Sequence, residues 1–202
     1  VNAPGTNSTA VAEFTWTLIL NLIRDTELSM STARSGEWNK QIGFELYGKT
    51  LGIIGFGQIG KKVAVIGLGF GMTVIAFDPF FDEVFGNTKG IKNVELENLL
   101  QKSDIVTLHT ALTPETHRLI GREELSLMKK TSFLINVARG GIVDETALYW
   151  ALNAGEIRGA AFDVFEKEPP SKGNPLFTLK NFLSTPHTAG YTFESIERMG
   201  LM

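Results

Sequence analysis

The sequence contains no cysteine, and its net charge is only −3 over 202 residues. The absence of cysteine excludes a disulfide framework and thiolate chemistry, and it favours a cytoplasmic location. The small net charge gives no reason to expect nucleic acid or an anionic membrane as a partner. No apolar run reaches membrane-spanning length, and residues 1–4 lack the charged and apolar regions of a signal peptide. These absences leave the composition of an ordinary globular protein.

The most informative feature of the chain is a run of three glycines. Gly55, Gly57 and Gly60 follow an apolar, strand-like segment with the spacing Gly-x-Gly-x-x-Gly. In a dinucleotide-binding turn, the first glycine permits a tight bend and the second lets the backbone approach a pyrophosphate. The third lets the following helix lie close to the sheet. The N-terminus of that helix offers unpaired N–H groups and the positive end of its dipole to the phosphates.

An acidic residue, Asp78, ends the next apolar segment, 18 positions after Gly60. A carboxylate at this position can accept hydrogen bonds from the adenosine ribose, and its charge repels a 2′-phosphate. We therefore predict that the cofactor is NAD rather than NADP. The alternative is a glycine-rich turn without a ligand. A second glycine run, Gly67, Gly69 and Gly71, has no strand ahead of it and is predicted to end the helix.

Apolar strand-like segments alternate with helical segments from residue 49 onward. Continuous apolar strands separated by helices predict a Rossmann-type α/β fold, a doubly wound parallel sheet with helices on both faces. The predicted strands are 50–55, 73–77, 104–109, 131–137, 159–165 and 181–185, with helices at 58–70, 95–102, 122–129 and 144–154. Ahead of them, Ser8 or Thr9 is predicted to cap a helix that runs to about Ser29. Residues 166–180 are predicted to form an ordered surface loop.

Chemically useful side chains follow several of the predicted strands. Open parallel sheets bind ligands beyond the carboxyl ends of their strands. His109 ends one strand, Arg139 follows another, Asp163 lies near the end of a third, and His187 follows the last. We therefore expect these side chains to converge on one edge of the sheet.

Three segments at this edge resemble the motifs of the D-isomer-specific 2-hydroxyacid dehydrogenases. They are Asn-Val-Ala-Arg-Gly-Gly at 136–141, Asp-Val-Phe-Glu-Lys-Glu-Pro at 163–169 and Thr-Pro-His-Thr-Ala-Gly at 185–190. The resemblance covers nearly the whole chain, and residues 2–13 most resemble the phosphoglycerate dehydrogenase branch. It implies NAD-dependent hydride transfer between a D-2-hydroxy acid and its 2-oxo acid.

The resemblance implies three catalytic residues. Arg139 is expected to bind the carboxylate and 2-oxo group of the substrate, His187 to act as acid and base, and Glu168 to pair with His187. The chemistry agrees, because a guanidinium holds a carboxylate bidentately and a histidine exchanges protons near neutral pH. Alone, Arg139 could be a surface ion-pair partner and His187 a buried structural histidine, and Glu166 competes with Glu168 as the acidic partner. His109 and His117 are less favoured because they lack the Glu partner pattern.

The resemblance also implies cofactor contacts outside the glycines. Asp163 is expected to contact the nicotinamide carboxamide, although an Asp at a strand end could instead cap the turn. Gln58 and Ile59 are expected to contact the pyrophosphate through backbone N–H groups. The remaining implied cofactor residues are Val137, Ala138 and Gly190. We predict no metal site.

Members of the family are expected to have two lobes, with the cofactor lobe inserted into a substrate lobe. We expect residues 1–202 to be the cofactor lobe alone. In this division, 1–46 is a leading helix and connection, 47–190 the Rossmann core with its catalytic loops, and 191–202 the start of a return segment. With the substrate lobe absent, and valine as its first residue, the chain is expected to be part of a longer protein. It should bind NAD with little or no turnover.

Several functions remain open besides a phosphoglycerate dehydrogenase. The substrate could be that of a glyoxylate or hydroxypyruvate reductase or of a D-lactate dehydrogenase. A corepressor-like NAD sensor, which is not an enzyme, would keep the same Arg139, Glu168 and His187. Formate dehydrogenase is disfavoured because it pairs its histidine with glutamine where this chain has Glu168. The helix predicted at 10–29 is apolar on more than one side, which together with the resemblance predicts a homodimer.

Overall fold

A computed structural model describes residues 5–198 and Gly200. The segment Asn2-Ala3-Pro4, which contributes to the phosphoglycerate dehydrogenase likeness, lies outside the described residues. Seven parallel strands form one sheet in the order β3-β2-β1-β4-β5-β6-β7. The strands are β1 (Thr50–Ile54), β2 (Thr73–Phe77), β3 (Lys92–Asn93), β4 (Ile105–Leu108), β5 (Phe133–Asn136), β6 (Gly159–Phe162) and β7 (Phe182–Ser184). The strand order reverses between β1 and β4, so a ligand crevice is expected beyond their carboxyl ends.

Eight helices accompany the sheet in the described part of the chain. They are α1 (Ser8–Arg24), α2 (Thr26–Ser35), α3 (Gln58–Gly69), α4 (Glu83–Lys89), α5 (Leu96–Lys102), α6 (Arg122–Leu127), α7 (Glu145–Ala154) and α8 (Phe193–Arg198), with a 3₁₀ turn at Pro175–Thr178. Among residues 5–198, none of the helices combines the length and apolarity needed to cross a bilayer.

Two apolar cores cover the two faces of the sheet. Successive side chains of a strand point to opposite faces. In β4, Ile105 packs with α1 and α3, whereas Val106 and Leu108 pack with α5, α6 and α7. Full burial of such a side chain stabilises the fold by about 1.5–3 kcal/mol. The predicted doubly wound sheet with helices on both faces is confirmed.

The helix predicted to run from a cap at Ser8 or Thr9 to about Ser29 is wrong in its bounds. Ser8 is already the first helical residue, and α1 ends at Arg24 because Asp25 adopts a left-handed conformation with φ +50°. An Asp tolerates this conformation better than most residues. The side-chain oxygen of Asn21 accepts hydrogen bonds from the hydroxyl of Thr26 and the N–H of Glu27, which starts α2 in a new direction.

Short elements account for the other differences from the predicted pattern. The two-residue strand β3 and the seven-residue helix α4 lie between β2 and α5, where no element was predicted. The loop predicted at 166–180 contains the 3₁₀ turn. As predicted, the run of Gly67, Gly69 and Gly71 ends α3, since the helix stops at Gly69 and Gly71 has φ +73°.

Candidate active site

The glycine turn joins β1 to α3 at the reversal of strand order. Gly55 has φ +93°, and a Cβ on it would lie 2.6 Å from the backbone carbon of His109. A Cβ on Gly60 would lie 2.2 Å from the carbonyl oxygen of Gly55. By contrast, no described atom comes within 4 Å of a Cβ built on Gly57, and within the described residues no side chain caps the α3 helix that follows it. Two glycines therefore permit close backbone packing, and Gly57 leaves open space at an uncapped helix N-terminus, where an anion is stabilised.

Asp78 lies directly after β2 and is bonded to this turn. Its Oδ2 accepts a hydrogen bond of 2.5 Å from the N–H of Phe56, and its Oδ1 accepts one of 2.7 Å from the N–H of Phe80. The two oxygens of a carboxylate together accept about four hydrogen bonds. Asp78 therefore fixes the turn and keeps acceptor capacity for ribose hydroxyls.

A cavity of about 420 Å³ runs along the carboxyl edge of the sheet. This volume lies within the range of small-molecule sites. The cavity is lined by Asn7, Val11, Ile59, His109, Thr110, Ala111, Val137, Ala138, Arg139, His187, Ala189, Gly190, Tyr191 and Ile196. The predicted site residues Ile59, Val137, Ala138, Arg139, His187 and Gly190 therefore share one cavity.

Some lining residues were not predicted from the sequence. Thr110 and Ala111 directly follow the strand that carries His109, so the same strand-end rule could have found them. Asn7 reaches the cavity from a distant part of the sequence. A Cβ built on Gly190 would lie 3.1 Å from the side-chain amide nitrogen of Asn7. No local pattern signals such a contact.

His187, which lines this cavity, is hydrogen bonded to Glu168, which lines a neighbouring cavity that His187 shares. The ring Nδ1 of His187 lies 2.7 Å from Oε2 of Glu168, and the other carboxylate oxygen accepts the N–H of Phe165 at 3.0 Å. Burial raises the pKa of the Glu168 carboxyl, but the hydrogen bonds from His187 and Phe165 and the charges of His187 and Arg139 outweigh it and hold that pKa below its usual value. The carboxylate thus fixes a proton on Nδ1 and leaves Nε2 for exchange with a substrate.

Arg139 stands on a tight loop after β5. The buried side chain of Asn136 shapes the loop, since its oxygen accepts the N–H of Ala138 and its nitrogen donates to the carbonyl of Arg139. The exposed guanidinium donates to the carbonyl of Ala138 at 2.6 Å, the one hydrogen bond of this side chain found within the described residues. A guanidinium has five N–H donors, so most remain for a ligand.

Gly140 joins the loop of Arg139 to the loop of Glu168. A Cβ on Gly140 would lie 1.9 Å from the carbonyl oxygen of Phe165, which leaves no room for any side chain. The acidic partner and the guanidinium are therefore held on two segments in direct backbone contact.

We expect Gly140→Ala to lower the free energy of unfolding by at least about 1–3 kcal/mol, because overpacking against backbone forces the two loops apart. Gly173→Ala is the matched control, since no described atom lies within 4 Å of a Cβ at that position. Urea denaturation of both variants measures the difference. An unfolding midpoint of Gly140→Ala equal to that of Gly173→Ala would contradict the predicted contact.

The other two histidines are poorer acid/base candidates. Burial lowers the pKa of His109 to about 3, so its ring is neutral at physiological pH, and its Nε2 is 3.0 Å from the hydroxyl of Thr107. His117 lies 4.0 Å from Oε1 of Glu166, which is too long for a hydrogen bond, and it does not line the cavity. Within the part of the chain that the structure describes, His187 is the one histidine hydrogen bonded to a carboxylate.

Asp163 and Gln58 occupy different surroundings from the lining residues. The carboxylate of Asp163 is buried and is turned toward the loop that carries His187. Gln58 begins α3, and its side chain lies beside Gly5. Within the described residues, no group of three or more His, Asp or Glu side chains could hold a metal ion.

Comparison with known proteins connects this geometry to a family. Residues 16–189 match the family model of the D-isomer specific 2-hydroxyacid dehydrogenase, NAD binding domain. A D-3-phosphoglycerate dehydrogenase of Methanocaldococcus jannaschii is 45% identical over an alignment of 203 residues, which covers 99% of this chain and 38% of that protein. A glyoxylate reductase of Korarchaeum cryptofilum is 41% identical over 207 residues, covering 100% of this chain and 62% of that protein.

A solved structure gives the same result. The D-lactate dehydrogenase of Aquifex aeolicus, complexed with NAD and lactic acid, superposes with a TM-score of 0.90 at 36% identity. The superposition covers 98% of this chain and 64% of that one, so the chain spans less than two thirds of each of these three relatives. The chain belongs to the D-isomer specific 2-hydroxyacid dehydrogenase family, which it matches through the NAD binding domain.

Proposed function

We propose that the protein interconverts a D-2-hydroxy acid and its 2-oxo acid with NAD, and that 3-phosphoglycerate is its first candidate substrate. The observation that carries the proposal is the 2.7 Å contact between His187 and Glu168, because His187 also lines the cavity that contains Arg139. The preference for 3-phosphoglycerate is supported by the M. jannaschii relative. Glyoxylate, hydroxypyruvate and pyruvate are the alternative 2-oxo acids, because other relatives are a glyoxylate reductase, a hydroxypyruvate reductase and a D-lactate dehydrogenase.

The residues of the chain divide the chemistry of reduction among them. When bound, NADH supplies the hydride that reduces the C2 carbonyl carbon of the 2-oxo acid. Arg139 holds the carboxylate of the substrate and polarises the carbonyl. His187 gives its Nε2 proton to the carbonyl oxygen, where negative charge develops, and Glu168 stabilises the protonated ring beforehand. In the oxidation direction, the neutral ring of His187 takes the hydroxyl proton back.

The proposed cofactor contacts extend along the edge of the sheet. Gly57 and the N–H groups of Gln58 and Ile59 would hold the pyrophosphate, with Gly55 and Gly60 shaping the turn. Val137, Ala138 and Gly190, which line the cavity, would hold the nicotinamide end. Asp163, which lines a neighbouring cavity together with Glu168 and His187, is proposed to contact the nicotinamide carboxamide.

We expect NADH to bind at least about tenfold more tightly than NADPH, because the charge of Asp78 repels a 2′-phosphate and residues 79–81 contain no Lys or Arg. Asp78→Asn keeps one oxygen acceptor for the turn and should narrow the difference in affinity between NADH and NADPH. Asp78→Ala also leaves the N–H of Phe56 without its acceptor and should lower the affinity for both cofactors. Asp82→Asn is the control, because Asp82 pairs with Lys61 at 2.6 Å instead of with the turn. Calorimetric titration showing equal affinities in the unmodified chain would reject the assignment.

We propose that residues 1–202 act as the cofactor lobe beside a separate substrate lobe. The proposal is supported by the relatives, which are longer than this chain. Exposed aromatic side chains next to the cavity also support it, since Tyr191 is 72% exposed and Phe193 81% exposed. A second lobe over these rings would exclude water and hold the substrate against His187, so residues 1–202 alone should bind NADH with little turnover.

We also propose a homodimer, with its interface on α2 and the segment that follows it rather than on the helix predicted at 10–29. The sheet of the same chain covers most of α1, where Trp16, Leu18 and Ile19 are buried. The exposed apolar surface lies farther along, at Met30, Trp38, Ile42 and Tyr47. The proposal requires these four side chains to form one apolar patch that a second copy of the chain covers. Light scattering that gives a monomer mass at tens of micromolar would contradict this proposal.

A cytoplasmic location is proposed as well, since a sequence without cysteine suits a reducing compartment. Recovery of the protein from a secreted fraction would contradict this location.

The decisive experiment measures NADH oxidation by the full-length protein with phosphohydroxypyruvate, hydroxypyruvate, glyoxylate and pyruvate. We expect 2-oxo acid-dependent oxidation, with the highest kcat/KM for phosphohydroxypyruvate. Residues 1–202 alone provide the comparison and should show nearly constant NADH absorbance. If the full-length protein binds NADH but reduces none of these acids, the proposal fails and an NAD-sensing role is favoured.

A further inference from the structure

Asp163 is a buried carboxylate whose hydrogen bonds to described residues all go to one loop. It follows β6 directly and is 1% exposed. Its Oδ1 accepts the hydroxyl of Thr185 at 2.5 Å and the N–H of Thr188 at 2.9 Å, and its Oδ2 accepts the N–H of Ala189 at 2.8 Å. A buried charge is tolerated when hydrogen bonds replace its hydration. These three donors flank His187 on both sides.

The backbone of His187 has a conformation that needs such support. Its φ is +55°, in the left-handed region that residues other than Gly, Asn and Asp seldom adopt. The N–H of His187 donates to the carbonyl of Thr185 at 3.1 Å, so the turn is tight. A loop released from Asp163 would relax toward extended backbone, and the ring would leave Glu168.

We propose that Asp163 is a positioning residue that holds His187 in its left-handed conformation through Thr185, Thr188 and Ala189. One short segment, 163–168, then holds the acid/base residue at two points, because Asp163 fixes its backbone and Glu168 fixes its ring. This inference rests on the proposed role of His187 as acid and base. It adds to the implied carboxamide contact of Asp163, because a carboxylate that accepts three hydrogen bonds can accept one more.

Thr185 offers a cleaner test than Asp163, whose replacement could unfold the domain. Thr185→Val removes one hydrogen bond to the carboxylate with little change in shape, and Thr185→Ser restores the hydroxyl. In the full-length protein we expect Thr185→Val to lower kcat about tenfold to a hundredfold, with the Kd for NADH and the KM for the 2-oxo acid within about twofold of wild type. Thr185→Ser should recover kcat to within about twofold.

Two outcomes of the measurements on Thr185→Val would overturn the inference. A Thr185→Val protein with a lower Tm but normal kcat would show that the hydrogen bond serves the fold alone. A weaker Kd for NADH with normal kcat would show that the loop serves the cofactor alone.

A second readout needs no turnover, so it separates this inference from the proposed reaction. The imidazole NMR signals of His187 in residues 1–202, assigned with His187→Gln, report whether the ring contacts Glu168. We expect Glu168→Gln and Thr185→Val to shift these signals in the same direction, and Thr185→Ser to leave them in place. If wild type reduces no 2-oxo acid, the proposed function fails, yet this comparison still decides the role of Asp163. Signals unchanged in Thr185→Val would overturn the inference.

Discussion

Replacement of His187 by asparagine is expected to lower kcat of the full-length protein by about 10²–10⁴, because it removes the proton donor of the reduction. The affinity for NADH should stay within about twofold of wild type, since the glycine turn and Asp78 are untouched. His117→Asn is the matched control, because His117 lies outside the cavity and is half exposed. Initial rates and NADH titrations of the two variants measure the difference. A His187→Asn protein as active as His117→Asn would remove His187 from the reaction.

The pH dependence of the same pair gives a second check. Hydrogen bonds hold the pKa of Glu168 below its usual 4.5, so the pair contributes stability that is complete above that value. This contribution is lost as the pH falls through the lowered pKa of the folded state. Glu168→Gln removes the carboxylate whose ionisation this contribution requires, so the loss of stability below pH 4.5 should be smaller in the variant than in wild type. An acid-unfolding profile that superimposes on that of wild type would mean that Glu168 is not the partner.

Arg139→Ala is expected to lower kcat/KM for the 2-oxo acid by about 10²–10³, because two charge-assisted hydrogen bonds to the carboxylate are lost. Arg139→Lys should recover part of this loss, since it keeps the charge without the planar fork. Arg158→Ala is the control, because the Arg158 guanidinium stacks 4.3 Å from the ring of Phe44 and does not line the cavity. Steady-state kinetics that show equal kcat/KM for Arg139→Ala and Arg158→Ala would contradict the assignment.

Local patterns explain why so much of this fold could be predicted. The glycine spacing, Asp78 at the end of β2 and the alternation of apolar strands with helices each report a constraint that lies within a few residues of the chain. Because ligands of open parallel sheets bind beyond the carboxyl ends of the strands, Arg139 and His187 were predicted to lie at one edge of the sheet. The structure places both of them on one cavity at that edge.

Individual side-chain contacts and the packing of distant segments explain what could not be predicted. The break at Asp25 depends on a side-chain contact of Asn21, and neither residue interrupts the apolar pattern of the helix. Similarly, the side chain of Asp163 accepts hydrogen bonds from residues 22 to 26 positions away, a role that the cofactor contact expected from the sequence does not include. The close approach of Gly140 to Phe165 exists only once two strands are paired, so no sequence pattern announces it.

The most direct test of the central claim follows the hydride itself. The full-length protein is given NADH deuterated at both C4 positions of the nicotinamide, together with the best 2-oxo acid from the substrate panel. The product is analysed by NMR and chiral chromatography. The account predicts one deuterium at C2 of a hydroxy acid with the D configuration. A product without deuterium at C2, or one with the L configuration, would contradict it.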